Sequence, residues 1–281
     1  MIWVYFALLA SLCWAIGNLI SKYALFKINH ETATIAMLLT SPLVVLVLWA
    51  FFPISFSPIA LIAGLCWYSG YYLFFNGLGK GEVSNAVAIT LTNPIFTAIF
   101  SAFLIGEILT PTQYLGVGLA VLGALIVSMD GTKIRKESIP LIFSSILFAL
   151  SDVASKVALF EIDPISTMFW IRAVGVPLLI LFFFIWRRKI KFHSVKIGML
   201  SLTTGILSDF GSYIFIVACT FTFVSLVTAF VTSQALFVFL GAILITTLNP
   251  KLLKEDISKK SMALKLGAMI LLILGVVLVA T

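Results

Sequence analysis

The chain has 281 residues, of which 62% are apolar and only 10% charged, with a formal net charge of +7 and a mean hydropathy of +1.18. A soluble domain is about 45–50% apolar and about 25% charged, so this composition excludes an ordinary water-soluble globule. A hydrocarbon core about 30 Å thick takes roughly 20 helical residues per crossing, so ten crossings use about 200 residues and leave too little chain for a soluble catalytic domain.

In chain order, apolar runs bounded by polar or Gly/Pro clusters predict helices at about 2–21, 33–52, 58–77, 83–104 and 112–128. A second set follows at about 139–158, 165–186, 196–217, 222–245 and 263–280. Each reaches, or nearly reaches, the length that spans a bilayer. The first run lacks the basic leader of an export signal and recurs in mid-chain, so it reads as a span. Cys13, Cys66 and Cys219 sit inside apolar runs without ligand spacing. They imply neither a disulfide framework nor a zinc site, and no metal or cofactor is expected. Both histidines, His30 and His193, fall in connections.

The sequence repeats internally. Residues 10–26 align without gaps on residues 144–160, sharing Ser11/Ser145, Ala15/Ala149, Ser21/Ser155, Lys22/Lys156 and an Ala-Leu-Phe ending. A second block aligns at an offset of 141 and pairs Gly64/Gly205, Gly70/Gly211, Tyr72/Tyr213, Phe74/Phe215, Val83-Ser84/Val224-Ser225 and Phe96/Phe237. The repeats divide the chain at 1–134 and 135–281. Five spans per repeat is an odd number, so the second half enters the membrane upside down. Inverted repeats are the architecture of secondary transporters, which bind substrate near the midplane where the halves meet. The expected fold is an all-α polytopic membrane protein: ten transmembrane helices in two inverted five-helix repeats around a central cavity.

Sixteen of the eighteen lysines and arginines fall in or beside the connections after spans 1, 3, 5, 7 and 9, one (Lys156) lies on the other side, and Arg172 is inside a span. Such asymmetry is a topology signal. It puts those connections in the cytoplasm of a plasma or inner membrane and both termini outside, and it makes the basic excess no nucleic-acid surface. A minor contact with anionic membrane lipid fits the same charges.

Polar groups inside hydrocarbon are costly and are functional candidates by default. Span 1 carries Trp14, Asn18 and Lys22 at i, i+4, i+8 spacing, repeated in span 6 as Phe148, Asp152 and Lys156. Asp152 either pairs locally with Lys156, the favourable order for an i, i+4 ion pair, or faces a cavity. Arg172 interrupts span 7, where the same offset in span 2 reaches Leu38. A guanidinium stays charged in any protein environment, so it needs a structural partner or an anionic part of a substrate. Asp209 sits in span 8 opposite Tyr68 in the alignment. Asp209 or Asp152 is the expected protonatable group, either coupling protons to transport or holding a cationic part of the substrate. In span 4, Pro94 removes a backbone bond to Thr90 and gives a kinked element beside Asn93; the counterpart around Gln234 keeps an amide without the proline. Tyr72 and Asn76 share a face of span 3, and Tyr213 repeats Tyr72. The expected binding set is therefore Trp14, Asn18, Tyr72, Asn76, Asn93, Arg172, Tyr213 and Gln234. Thr110, Pro111 and Gln113 form a capping box, Glu107 reads as a cap or seal at that end, and Gly116, Ala120 and Gly123 form a stripe for close helix contact.

Together these residues resemble the drug/metabolite transporter superfamily, in its ten-helix branch of two EamA-like repeats. The likeness rests on Trp14-Ala-x-x-Asn18-x-x-x-Lys22, Asn93-Pro94, the Gly106-Glu107-x-Leu-Thr-x-x-Gln113-x-x-Gly116 run, Leu122-Gly123 and Arg172. It implies a basket of ten helices, a central cavity from spans 1, 3, 4, 6, 8 and 9, and alternating access. It also implies small substrates such as amino acids, sugars, nucleotide derivatives, choline-like cations or drugs, frequently exported. The second repeat departs by lacking the Gly-Glu and the proline, and family members are generally drawn with cytoplasmic termini, against the charge pattern here. The function expected is a secondary active transporter of amino acids or related small polar or amphipathic compounds, not an enzyme, acting as a monomer or homodimer. The alternative is a membrane-embedded enzyme or a lipid-flippase-type subunit.

Overall fold

The structure, a computed structural model, describes residues 1–80, 83–128, 138–190, 195–249, 252 and 259–280. Lys133, Arg135, Lys136, Lys191, His193, Lys251 and Lys254 lie outside the described residues, as does the expected division of the repeats at 134/135. All regular structure among the described residues is helical. The first half holds α1 (Ile2–Leu25), α2 (His30–Leu38), α3 (Thr40–Phe51), α4 (Pro58–Leu78), α5 (Val83–Thr90), α6 (Asn93–Ile105) and α7 (Pro111–Ser128). The second holds α8 (Ser138–Ala158), α9 (Pro164–Ala173), α10 (Gly175–Trp186), α11 (Val195–Cys219), α12 (Val224–Val231), α13 (Gln234–Leu248) and α14 (Lys259–Ala280). Seven stretches among the described residues are long and apolar enough to cross a membrane: Ile2–Leu25, His30–Phe51, Pro58–Leu78, Ile139–Ala158, Pro164–Trp186, Val195–Cys219 and Val224–Leu248. Asn93–Ile105 and Ala263–Val279 are shorter apolar helices. Large side chains such as Trp49, Phe51, Phe103 and Phe184 stay exposed on the outside of the bundle, where lipid is their natural solvent. The chain is an all-α, multi-pass integral membrane protein.

Four of the predicted runs are broken in the middle, and three breaks share one cause. Proline lacks an N–H for the carbonyl four residues back and crowds it. Pro42, Pro94 and Pro177 address Leu38, Thr90 and Ala173, and these are the last residues of α2, α5 and α9. The fourth break, at Thr232–Ser233 between α12 and α13, has Ala235 where that proline would stand. Hydroxyls help there: Thr232 Oγ1 donates to the Ala229 carbonyl (2.7 Å), and Ser233 Oγ pairs with Ser11 Oγ (3.1 Å). The repeat-equivalent tie joins Thr92 Oγ1 to Ser145 Oγ at 2.8 Å beside the α5–α6 break.

Helix ends are closed by side chains, which satisfy the backbone groups a helix terminus leaves open. Asn29 caps α2 by accepting from the Thr32 N–H, and Asp163, its counterpart, caps α9 by accepting from the Ile165 and Ser166 N–H groups. Lys22 Nζ donates to the Leu78 carbonyl at the end of α4 (2.8 Å). Lys156 Nζ donates to the carbonyls of Cys219 (2.6 Å), at the end of α11, and Thr222 (2.9 Å). Leu78 and Cys219 are also equivalent at the offset of 141. The expected capping box is present, with Thr110 N–H donating to Gln113 Oε1 and Gln113 N–H to Thr110 Oγ1. Glu107 proves to be a cap across the bundle: its buried carboxylate accepts from Val224 N–H, Ser225 N–H and Ser225 Oγ at the start of α12.

Among the described residues the most extensive helix contacts join α4 with α8, α1 with α11, and α7 with α14. In the last pair the small-residue stripe is in contact: a methyl group added at Gly116 would sit 2.8 Å from the Gly275 carbonyl, and one at Gly123 2.5 Å from the Leu272 amide. The connections after α1, α4 and α10 meet at one end of the bundle. There Asn29 Nδ2 donates to the Lys189 carbonyl, Lys189 pairs with Glu31 (3.1 Å), and Lys80 donates to Asn76.

Gly116→Val should overpack the α7–α14 contact and destabilise the protein by about 1–3 kcal/mol, read as a lowered Tm in detergent. Gly118→Ala, which meets nothing within 4 Å, should leave Tm unchanged. Burial opposes the Asp163 charge, but the hydrogen bonds from the Ser166 hydroxyl and N–H and the Ile165 N–H prevail, holding its carboxyl below the usual range. The native value is the lower one, so the cap's contribution is complete above the ordinary Asp pKa of about 3.9 and fades as pH falls through the native value. Asp163→Ala should cost about 0.5–2 kcal/mol at neutral pH, and the Tm gap to the parent should close on acidification.

Candidate functional site

The breaks of α5–α6 and α12–α13 face a central cavity. Its lining follows the repeat. Trp14 and its counterpart Phe148 both line it, as do Asn18 with Asp152, and Phe74 with Phe215. From the broken helices come Val87 with Thr228, Thr90 with Val231, and Asn93 with Gln234. Trp67, Tyr71 and Leu91 complete the wall, and the positions equivalent to Trp67 and Tyr71 are serines, Ser208 and Ser212.

Glycines let the aromatic wall close. A methyl added to Gly70 would lie 2.8 Å from the Phe148 ring, and one on Gly211 2.8 Å from Trp14 Nε1. α4 and α11 thus each offer a slot, at Gly70 and Gly211, to the aromatic residue of α8 and α1 at alignment-equivalent positions. Trp67 stands 4.9 Å from Tyr71 and 5.4 Å from Phe148, measured between ring centres, and Trp14 stands 5.7 Å from Phe215. Ser208 orients the assembly from α11: its hydroxyl pairs with the Tyr71 hydroxyl (2.8 Å) and its carbonyl accepts from Trp14 Nε1 (3.3 Å).

Of the residues singled out in the sequence, the cavity brings together Trp14, Asn18, Asn93, Asp152 and Gln234. Asp152 accepts from Asn93 Nδ2 at 3.2 Å, and Lys156, the other partner considered for it, is engaged by carbonyls at the end of α11. Arg172 and Asp209 lie behind the wall. Arg172 is fully buried, its Nε is 2.9 Å from Asp209 Oδ1, and its guanidinium lies over the rings of Trp67 (5.2 Å) and Tyr68 (5.8 Å). Tyr68 continues the cluster to Ser41 through a 2.6 Å hydrogen bond. Tyr72 stacks on Trp186 at the basic end and lies beside His30, while Asn76 bonds His30 and Lys80 there. Tyr213 is half-buried and does not line the cavity. Adjacent residues on a helix point about 100° apart, so Tyr71 faces the cavity and Tyr72 does not. The signal for Tyr71 was the i, i+4, i+7 stripe Trp67–Tyr71–Phe74, flanking the slot at Gly70.

Residues 1–129 match the EamA-like transporter family, a similarity that agrees with the superfamily the chain's motifs resemble. A Bacillus subtilis (strain 168) protein named "Uncharacterized transporter YwfM" is 32% identical over 133 residues, covering 44% of this chain and 45% of that protein. The chain thus matches less than half the length of this relative. A solved crystal structure superposes on 99% of this chain and 96% of its own length, with a TM-score of 0.75 at 16% identity, a likeness of fold.

Removing one member of a buried ion pair strands the other charge, whereas removing both can be nearly neutral. Arg172→Met should therefore destabilise by about 3–5 kcal/mol, and Arg172→Met combined with Asp209→Leu should recover most of that loss. Thermal unfolding in detergent reads both. Equal Tm values for the two variants would contradict the pairing.

Proposed function

We propose that the protein is a secondary active transporter of a small amphipathic metabolite, built from two inverted five-helix repeats, 1–134 and 135–281, that form ten transmembrane helices. The carrying observation is the lining of the cavity, in which six alignment-paired positions from the two halves meet around broken helices. Two near-equivalent halves can exchange conformations, which opens one midplane site to each side in turn. The equivalent ties of Lys22 at the end of α4 and Lys156 at the end of α11 support the same reading. The name of the YwfM relative, a transporter, agrees with it.

Proton coupling runs through Asp152 in this proposal. Arg172 occupies Asp209, whereas Asp152 has an amide but no cationic partner within ion-pair distance among the described residues. A buried carboxylate of this kind takes up a proton or a cation. The basic connections are assigned to the cytoplasm, in keeping with the meeting of three of them at one end of the bundle.

Ligands found by thermal-shift screening of a metabolite panel should show saturable counterflow in proteoliposomes. Ligands that stabilise the folded protein yet never cross the membrane would contradict the reading. Lys189→Cys in a variant whose native cysteines are replaced should be labelled by an impermeant maleimide in inside-out vesicles and not in intact cells; the reverse result would overturn the orientation.

A further inference from the structure

The charge inventory of the cavity is one-sided. Among its described lining residues Asp152 is the one acidic side chain, and none is a lysine or arginine. The buried guanidinium nearest by lies behind Trp67 and is committed to Asp209. A substrate carboxylate would therefore enter hydrocarbon with no positive partner and a negative charge close by. The hydrogen-bond inventory leans the same way. Asn93 turns its NH₂ toward Asp152, the arrangement a carboxylate, which only accepts, requires, and this leaves Asn93 Oδ1 as a buried acceptor without a partner among the described residues. The spare capacity next to the carboxylate is thus an acceptor; the other unpartnered polar atom among the described lining residues, Trp67 Nε1, is a single neutral donor. Around it stand the faces of Trp14, Trp67, Tyr71 and Phe148, and aromatic faces attract cations, most strongly in desolvated sites.

We propose that this cavity selects protonated amines that carry an apolar or aromatic body and no carboxylate, with Asp152 as the anchoring counter-charge and Asn93 as the positioning residue beside it. An ammonium supplies both the missing positive charge and N–H donors, which a quaternary ammonium does not. The carboxylate-free condition separates amines from the amino acids that share their side chains. Proton and amine compete for one carboxylate, so binding weakens as pH falls. The titratable groups around Asp152 do not duplicate it: α5, α6 and α12 contribute no ionisable side chain, α4 contributes Tyr71, α11 contributes Cys219, and Lys156 on its own helix is held at the end of α11.

The proposal deepens the transporter reading, but its test is a binding measurement that does not depend on transport. Full-length protein in detergent is titrated with phenethylamine, 2-phenylethanol, phenylalanine and trimethyl(phenethyl)ammonium, followed by thermal shift and tryptophan fluorescence. Phenethylamine should bind at least ten-fold more tightly than each of the other three, and more weakly at pH 5 than at pH 7.5. Asp152→Asn should abolish that preference. Asparagine already stands at the equivalent Asn18, and a monodisperse elution profile confirms folding of the variant. Asn93→Ala, a second variant, should weaken the amine several-fold and narrow its preference over 2-phenylethanol. Equal or tighter binding of phenylalanine or phenylethanol, or amine binding that survives Asp152→Asn, would overturn the proposal. Proteoliposome flux separates the two levels: flux of uncharged or carboxylated ligands without amine binding sinks only the amine proposal, whereas amine binding without flux sinks only the transporter reading.

Discussion

Hydrocarbon offers no water to stabilise a charge or an open backbone group, and this constraint accounts for most polar side chains in the bundle. Lys22 and Lys156 are spent on carbonyls at helix ends, and Glu107 on the amides that open α12. Arg172 and Asp209 neutralise each other behind the aromatic wall. Lys265, near the start of α14, lies over the Phe239 ring. After these assignments Asp152 stands apart: it is buried, it lines the cavity, and its bonded partner is an amide. Among the described residues the other interior charges named here are neutralised or used as caps, and this contrast is the ground for proposing Asp152 as the exchangeable site.

The two halves are alike in what holds them together and unlike in what faces the cavity. Serine–hydroxyl ties beside the central breaks, Asx caps at α2 and α9, lysine caps at α4 and α11, and glycine slots for Trp14 and Phe148 occur twice at alignment-equivalent places. Where the pattern departs from equivalence, the chemistry changes. Asn18 faces Asp152 in the alignment, and Trp67 and Tyr71 face Ser208 and Ser212. One half therefore supplies the charge, and the other supplies most of the ring surface around it. The Arg172–Asp209 pair belongs to the second half alone and sits directly behind Trp67, so the support of the wall is asymmetric as well.

Much of this was legible in the sequence because the physics behind it is periodic. Helix bounds follow apolar length closely, and the repeat offset finds the cavity pairs Asn18/Asp152 and Asn93/Gln234. The proline rule that locates the break after Thr90 holds equally for Pro42 and Pro177, whose breaks the apolar runs concealed. The break before Gln234 has no proline to announce it. Orientation around a helix is harder to read than position along it. Tyr72 and Tyr71 are chemically identical candidates, and packing against Phe148 and Trp186 decides between them. Arg172 illustrates the same point in its electrostatics. Its need for a partner was evident, but only the tertiary contact between α9 and α11 selects Asp209 over a substrate.

The account turns on Asp152 being the interior carboxylate that exchanges a proton for a cation. Infrared difference spectroscopy of the protein in lipid, before and after addition of phenethylamine, observes this directly. The account predicts that the amine removes a protonated-carboxyl C=O band at mildly acidic pH, gives the corresponding carboxylate bands, and produces neither change in Asp152→Asn. A carboxyl spectrum indifferent to the amine, or a response that persists in Asp152→Asn, would contradict it.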